Sequence, residues 1–139
     1  MFLLDTNVIS ELRRRVANRN VVAWAAEQTW EEFFLSSVTL FELEVGILRL
    51  ERRDPIQGAV LRDWLEAKVL HDFKGHVLPI DEQIALRAAS FHIPNPRPDR
   101  DAYIAATAAV HRLTVVTRNT RDFEGTGVTL LNPWEVAAA

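Results

Sequence analysis

Phe2-Leu3-Leu4-Asp5-Thr6-Asn7 opens the chain with three apolar residues, one acid and two small polar residues. Such a run reads as a short buried strand that stops at Asp5. Working outward from it, Val8 to Arg14 reads as a short helix, and Asn20 as the cap of a second one bearing Val21, Val22 and Trp24. Phe33 to Leu35 is a second strand. Thr39 to Arg52 carries apolar residues at 40, 43, 47, 48 and 50, near the helical period. Asp54-Pro55 is a cap followed by proline at the first helical position, which predicts a helix to about Asp72, ended by Gly75. Val77 to Pro79 is a brief strand, and Asp81 caps a helix running through Phe91. Ile93-Pro-Asn-Pro-Arg-Pro98 is a rigid, extended connection, because alternating prolines exclude a helix. Asp101 then opens a helix of small residues to His111, Thr114 to Thr117 is a β-branched strand, and Val128 to Leu131 is the last strand.

Strands separated by helical crossovers predict an α/β fold with a mostly parallel sheet covered on both faces. At 139 residues, one domain over 1–139 is expected. Hydrophobic residues make up 48% and charged residues 25%, which argues for a globule and against disorder. There is no cysteine, so disulfides, thiolate metal sites and cysteine nucleophiles are excluded, and a reducing, cytoplasmic setting is the simpler expectation. No apolar run approaches the roughly 20 residues that span a bilayer, so no membrane association is expected. Net charge is −3, yet fourteen of the sixteen cations are arginine, whose planar fork suits phosphate.

In parallel sheets ligands sit at the carboxyl ends of the strands. Asp5 follows the first strand, Glu42 lies early in the helix after the second, Asp101 begins the helix leading into Thr114, and Asn119 and Asp122 follow that strand. The topology therefore predicts that Asp5, Glu42, Asp101 and Asp122 meet at one edge without a matching cation. A set of hard oxygen donors lacking Cys and His suits Mg²⁺, with Mn²⁺ as a substitute, better than Zn²⁺. Each acid also has a structural alternative. Asp5 could cap the helix from Val8, Glu42 could close a capping box with Thr39, Asp101 or Asp99 could cap a helix, and Asp122 could be a loop acid beside Arg118 and Arg121. The Arg13-Arg14-Arg15 run and Arg49, Arg52 and Arg53 fit solvated helix faces better than a phosphate track. Four His residues show no ligand spacing, Trp24, Trp64 and Trp134 read as core, and no phosphate-binding glycine loop is present.

Five segments taken together resemble a known family: Leu3-Leu-Asp5-Thr-Asn7-Val-Ile9, Ser37-Val-Thr39-Leu-Phe-Glu42-Leu-Glu-Val-Gly46, Asp101-Ala-Tyr-Ile-Ala-Ala-Thr-Ala108, Val116-Thr-Arg-Asn119-Thr-Arg-Asp122-Phe123 and Asn132-Pro-Trp134. In this order they look like a PIN domain, and within it the VapC-type toxins of bacterial type II toxin–antitoxin modules. The stretch from about Arg53 to Arg97 adds no signature. The resemblance implies a three-layer α/β/α fold and a metal-dependent endoribonuclease that hydrolyses RNA with water, leaving a 5′-phosphate and a 3′-hydroxyl. It carries Asp5, Glu42 and Asp101 over as metal-binding acids. Asp101 matches in preference to Asp99 because it directly precedes the Ala-Tyr-Ile-Ala-Ala-Thr-Ala segment. Asp122 is expected as the fourth acid, with Asn119 as the other candidate for that position, and Thr6, Asn7, Thr117 and Asn119 as supporting polar contacts. A homodimer and a small cognate antitoxin, whose arginine could enter the acid cluster, are the implied partners, and the Leu40, Leu43, Ile47 helix is a candidate contact surface. A haloacid-dehalogenase-like phosphohydrolase is the enzymatic alternative, although it needs a second Asp where this chain has Asn7. A non-catalytic PIN-like module is the other alternative.

Overall fold

The computed structural model describes residues 1–135. Five strands form a parallel sheet in the order β3-β2-β1-β4-β5: β1 is Phe2–Leu4, β2 Phe33–Ser36, β3 Val77–Leu78, β4 Thr114–Val116 and β5 Leu130–Leu131. β1 is central. The chain leaves it toward β2 and β3 on one side and reaches β4 and β5 on the other, so the sheet's topological switch point lies at the end of β1, where Asp5 stands.

Alternation along the strands divides the core between the two faces. Leu4, Phe33, Leu35 and Val116 point into one layer with Val8, Ile9, Trp24, Leu43, Ile47, Leu65, Val69 and Phe73. That layer comprises α1 (Thr6–Arg13), α2 (Arg19–Ala26), α3 (Ser37–Arg53) and α4 (Pro55–Asp63), which runs on through a π-helical segment Trp64–Val69 into α5 (Leu70–Asp72). Leu3 and Val115 point to the opposite layer, onto Ile104, Ala105 and Ala108 of α7 (Asp99–His111), with α6 (Glu82–Ser90) packed beside it through Ile84, Ala88, Ala102 and Ala106. The alanines of α7 let it lie close on the sheet. This is the expected three-layer arrangement.

Several local expectations change. Asn18, not Asn20, caps α2, its side chain accepting from the backbone N–H groups of Asn20 and Val21. Ser36 caps α3 through Val38 N–H, so the Thr39–Glu42 capping box does not form. α7 starts at Asp99 after Pro98, which leaves Asp101 inside the first turn instead of at the cap. The helix from Pro55 is interrupted by the π segment, which apolar periodicity does not reveal. Asp54 and Asp81 cap α4 and α6 as expected, accepting from Gln57 N–H at 3.2 Å and Ile84 N–H at 2.9 Å. Leu43 and Ile47 are core residues, so neither is available as a contact surface. Among the described residues, no helix is long and apolar enough to cross a membrane.

Candidate active site

Asp5 is fully buried at the end of β1 and does two jobs at once. Its Oδ1 accepts from Thr6 N–H at 2.8 Å, capping α1, and its Oδ2 accepts from the Thr117 hydroxyl at 2.8 Å and the Asn7 amide at 3.4 Å. Thr117 directly follows the neighbouring strand β4 and also accepts from Asn7 Nδ2 at 3.3 Å and Asn119 N–H at 3.0 Å. Asn7 Oδ1 takes Arg118 N–H at 3.2 Å. The supporting residues Thr6, Asn7, Thr117 and Asn119 therefore form one network that ties the ends of β1 and β4 together and fixes the Asp5 carboxylate.

Glu42 reaches this point from the second turn of α3. The Thr6 hydroxyl donates to Glu42 Oε1 at 2.6 Å and lies 3.5 Å from the buried Thr39 hydroxyl. Asp101 arrives from the first turn of α7. The common centre of Asp5, Glu42 and Asp101 is Arg100. Its Nε donates to Glu42 Oε2, its Nη2 to Asp5 Oδ1 and its Nη1 to Asp101 Oδ1 at 2.6 Å. The expectation that the acids gather without a matching cation is corrected: one guanidinium lies among three of them. Sequence reasoning missed Arg100 because a residue adjacent to Asp101 on a helix lies about 100° away around the axis, and only a long side chain can turn back. The charge imbalance at the edge was the available signal.

Asp122 sits on an exposed 3-10 turn, Thr120–Phe123, at the rim. It makes no contact with Arg100, but its charge acts on Asp101. Arg97 anchors this turn, a role the sequence did not reveal. Its guanidinium donates to the carbonyls of Asp122 at 3.3 Å, Glu124 at 3.2 Å and Phe91 at 3.0 Å. Arg13, Arg49, Arg52 and Arg53 are exposed on helix surfaces, and Arg14 and Arg15 are exposed in the turn just past α1.

The electrostatics follow from burial and pairing. Burial pushes the Asp101 carboxyl up, Arg100 pulls it back through a hydrogen bond and its charge, and Asp122 and Asp5 push it up again, so it lies above the ordinary carboxylate range. Burial opposes the charge on Arg100. The hydrogen bond to Glu42 and the charges of Asp5 and Glu42 outweigh that, and its pKa rises above the usual arginine value.

The donor set is chemically that of a hard divalent cation: carboxylate oxygens from three separate elements, with polar neighbours orienting them. Among the described residues, no three acids stand in metal-cage geometry. Arg100 instead stands between the carboxylates, and a guanidinium asks for a different arrangement of acceptors. Mg²⁺ holds its ligands at about 2.0–2.1 Å from one point, which puts octahedral neighbours roughly 2.9 Å apart. A guanidinium spreads its donors around a plane and keeps the acceptors farther apart. The residues fit a divalent cation provided that Arg100 leaves and the carboxylates close inward.

The PIN domain family profile matches residues 2–128. Toxin FitB of Neisseria gonorrhoeae is 40% identical, over 96% of this chain and 99% of its own length. VapC ribonuclease Y4jK of Sinorhizobium fredii is 37% identical, over 99% of this chain and 100% of its own. The crystal structure of FitAcB from Neisseria gonorrhoeae superposes with a TM-score of 0.88 at 40% identity, covering 98% of this chain and all (100%) of that one. A toxin–antitoxin complex from Klebsiella pneumoniae superposes at 0.67 with 28% identity, covering 98% of this chain and 100% of that one.

Proposed function

Since this chain belongs to the PIN-domain family, we propose that it is a divalent-metal-dependent endoribonuclease and the toxin of a type II toxin–antitoxin module. The observation that carries the reading is the meeting of Asp5, Glu42 and Asp101 around one cation at the switch point of a parallel sheet. The similarity to a VapC ribonuclease supports RNA as the substrate.

In this reading Asp5, Glu42 and Asp101 would hold the metal, Mg²⁺ with Mn²⁺ as a substitute, and Asp122 would close the site from the rim. A divalent ion held there would supply Lewis acidity, lowering the pKa of a water nucleophile and offsetting charge on the phosphoryl oxygens. Thr117 and Asn7 keep Asp5 aimed into the site, and Thr6 holds Glu42 against it. Asp122 would orient the attacking water or help hold a second ion. Water and not the ribose 2′-hydroxyl attacks, so the products carry a 5′-phosphate and a 3′-hydroxyl. The exposed Arg118 and Arg121 next to Asp122 take the RNA backbone.

Similarity to toxin–antitoxin complexes supports an antitoxin protein as the partner. The working unit is a homodimer. Phe41 and Leu48, one heptad apart on α3 and 68% and 50% exposed, supply apolar surface for it. Nothing favours the dehalogenase-like alternative: position 7 is Asn7, whose amide serves Asp5 and Thr117. The direct test incubates the purified protein with RNA in Mg²⁺ or in EDTA, beside the Asp101→Ala variant. Cleavage with Mg²⁺, none in EDTA and none with the variant are expected. Metal-independent cleavage that survives in the variant would refute the reading.

A further inference from the structure

Arg100 uses each of its three guanidinium nitrogens on a different acid, and those acids come from three separate parts of the fold: Asp5 from the end of β1, Glu42 from α3 and Asp101 from α7. Asp5 and Asp101 are buried carboxylates that, without Arg100, would lie near each other with no counter-charge, at high cost. The guanidinium is thus the counter-ion that lets the metal-free site exist as a closed cluster. Lysine would not serve equally, because its ammonium is a point charge without a planar fork.

A second cation cannot share this space. Each of the three carboxylates a divalent ion would draw on already has one oxygen held by the guanidinium, Asp5 Oδ1, Glu42 Oε2 and Asp101 Oδ1, and two like charges a few ångströms apart in a partly dry pocket repel strongly. Arg100 also has a way out. It sits in the first turn of α7 with its side chain 28% exposed, so it enters from the rim, and its several rotatable side-chain bonds offer a route back to solvent.

We propose that the Arg100 guanidinium and a divalent cation occupy the acid cluster alternately, and that Arg100 thereby sets the affinity of the site for metal. This rests on the metal-dependent nuclease reading. It makes Arg100 a positioning residue: it holds the carboxylates in place until the ion takes over, and every metal-binding event includes its displacement.

The test measures Mn²⁺ binding to the metal-free protein without RNA, by calorimetry, for the wild type, Arg100→Gln, Arg100→Lys and Asp101→Asn. Removing the competitor is expected to tighten Mn²⁺ binding about tenfold or more in Arg100→Gln, with a smaller gain in Arg100→Lys and a loss in Asp101→Asn. Arg100→Gln without metal melts below the wild type and gains more on adding Mn²⁺. If Arg100→Gln does not fold, Arg100→Lys carries the same test, since it keeps the charge but loses the three-way fork. In the wild type, the Arg100 Nε–H resonance is expected to be protected from exchange without metal. Added Mg²⁺ should release it along the same saturation curve as binding. Mn²⁺ binding that requires Asp101 but is equal or weaker in both Arg100 variants would overturn the exchange while leaving the nuclease reading intact. No Mn²⁺ binding by wild type or variants would overturn both.

Discussion

Thr117→Val is the most informative single change to the network behind the acids. Valine matches threonine in shape, so the fully buried site neither opens nor overfills, and the change replaces the hydroxyl by a methyl of similar size. That hydroxyl donates to Asp5 Oδ2 at 2.8 Å and accepts from Asn7 Nδ2 and Asn119 N–H. Asn119 is exposed, so water replaces its partner at little cost. The loss at Asp5 is different, because a buried carboxylate oxygen keeps only the long 3.4 Å contact from Asn7. A hydrogen bond to a charged group is worth about 1.5–3 kcal/mol, so a loss of about 2 kcal/mol is expected in urea unfolding of the metal-free protein at neutral pH. The assignment is sharpened by a cycle with Asp5→Asn. A bond to a neutral acceptor is worth only about 0.5–1.5 kcal/mol, so the cost of Thr117→Val should shrink by about 1 kcal/mol when Asp5→Asn is already present. Metal affinity should fall about 10–100-fold, as it does when a group orienting a ligand is removed. A stability loss below about 0.5 kcal/mol, or no coupling to Asp5, would refute the claim that Thr117 holds a charged Asp5.

A Cβ on Gly58 would lie 2.6 Å from the Glu51 Cα and 2.9 Å from its backbone N where α4 crosses α3, so Gly58→Ala should cost about 1–3 kcal/mol in equilibrium unfolding through separation of the two helices. Arg97→Ala frees the turn that carries Asp122, and RNA cleavage at fixed Mg²⁺ should fall about tenfold, by rough analogy with loss of an outer-shell partner of a metal site, while the far-UV circular dichroism is unchanged. The Asp101 carboxyl lies above its unfolded value, so the folded metal-free protein binds its proton more tightly than the unfolded chain does. That contribution to stability is fully present below the unfolded pKa and is lost as pH rises through the folded one. Asp101→Asn should therefore gain stability relative to wild type as pH rises through that window. Mn²⁺ titrations should show affinity in the wild type falling on acidification from a higher pH than an ordinary aspartate would give.

Much of the fold is legible because its signals are short-range and redundant. Phe2–Leu4, Phe33–Ser36 and Thr114–Val116 are apolar or β-branched runs whose pairing is confined by the crossovers between them. The same crossovers bring Asp5, Glu42 and Asp101 to one edge, which is why topology alone groups acids that lie far apart in sequence. What escaped depends on side-chain reach and local competition. Arg100 lies beside Asp101 in sequence, and its return to the cluster depends on a rotamer that no periodicity encodes. Ser36 displaces Thr39 as the cap of α3 because its side chain accepts from Val38 N–H at the very end of β2, so the helix begins at Ser37 and leaves Thr39 buried and Glu42 free to face Thr6 and Arg100. Asn18 displaces Asn20 because its side chain meets the orphan N–H groups of the second and third residues of α2, Asn20 and Val21. Arg97 looked like one residue of a proline-rich connector, although it fastens that connector to the turn bearing Asp122.

The most direct measurement is single-turnover cleavage of a defined RNA at saturating Mg²⁺, comparing the wild type with Asp5→Asn and analysing the product ends. Several kcal/mol of transition-state stabilisation depend on the ion that Asp5 anchors. The account therefore predicts a rate at least about a thousandfold lower for the variant, with 5′-phosphate and 3′-hydroxyl ends from the wild type. Equal rates for the two proteins, or 2′,3′-cyclic phosphate ends, would contradict it.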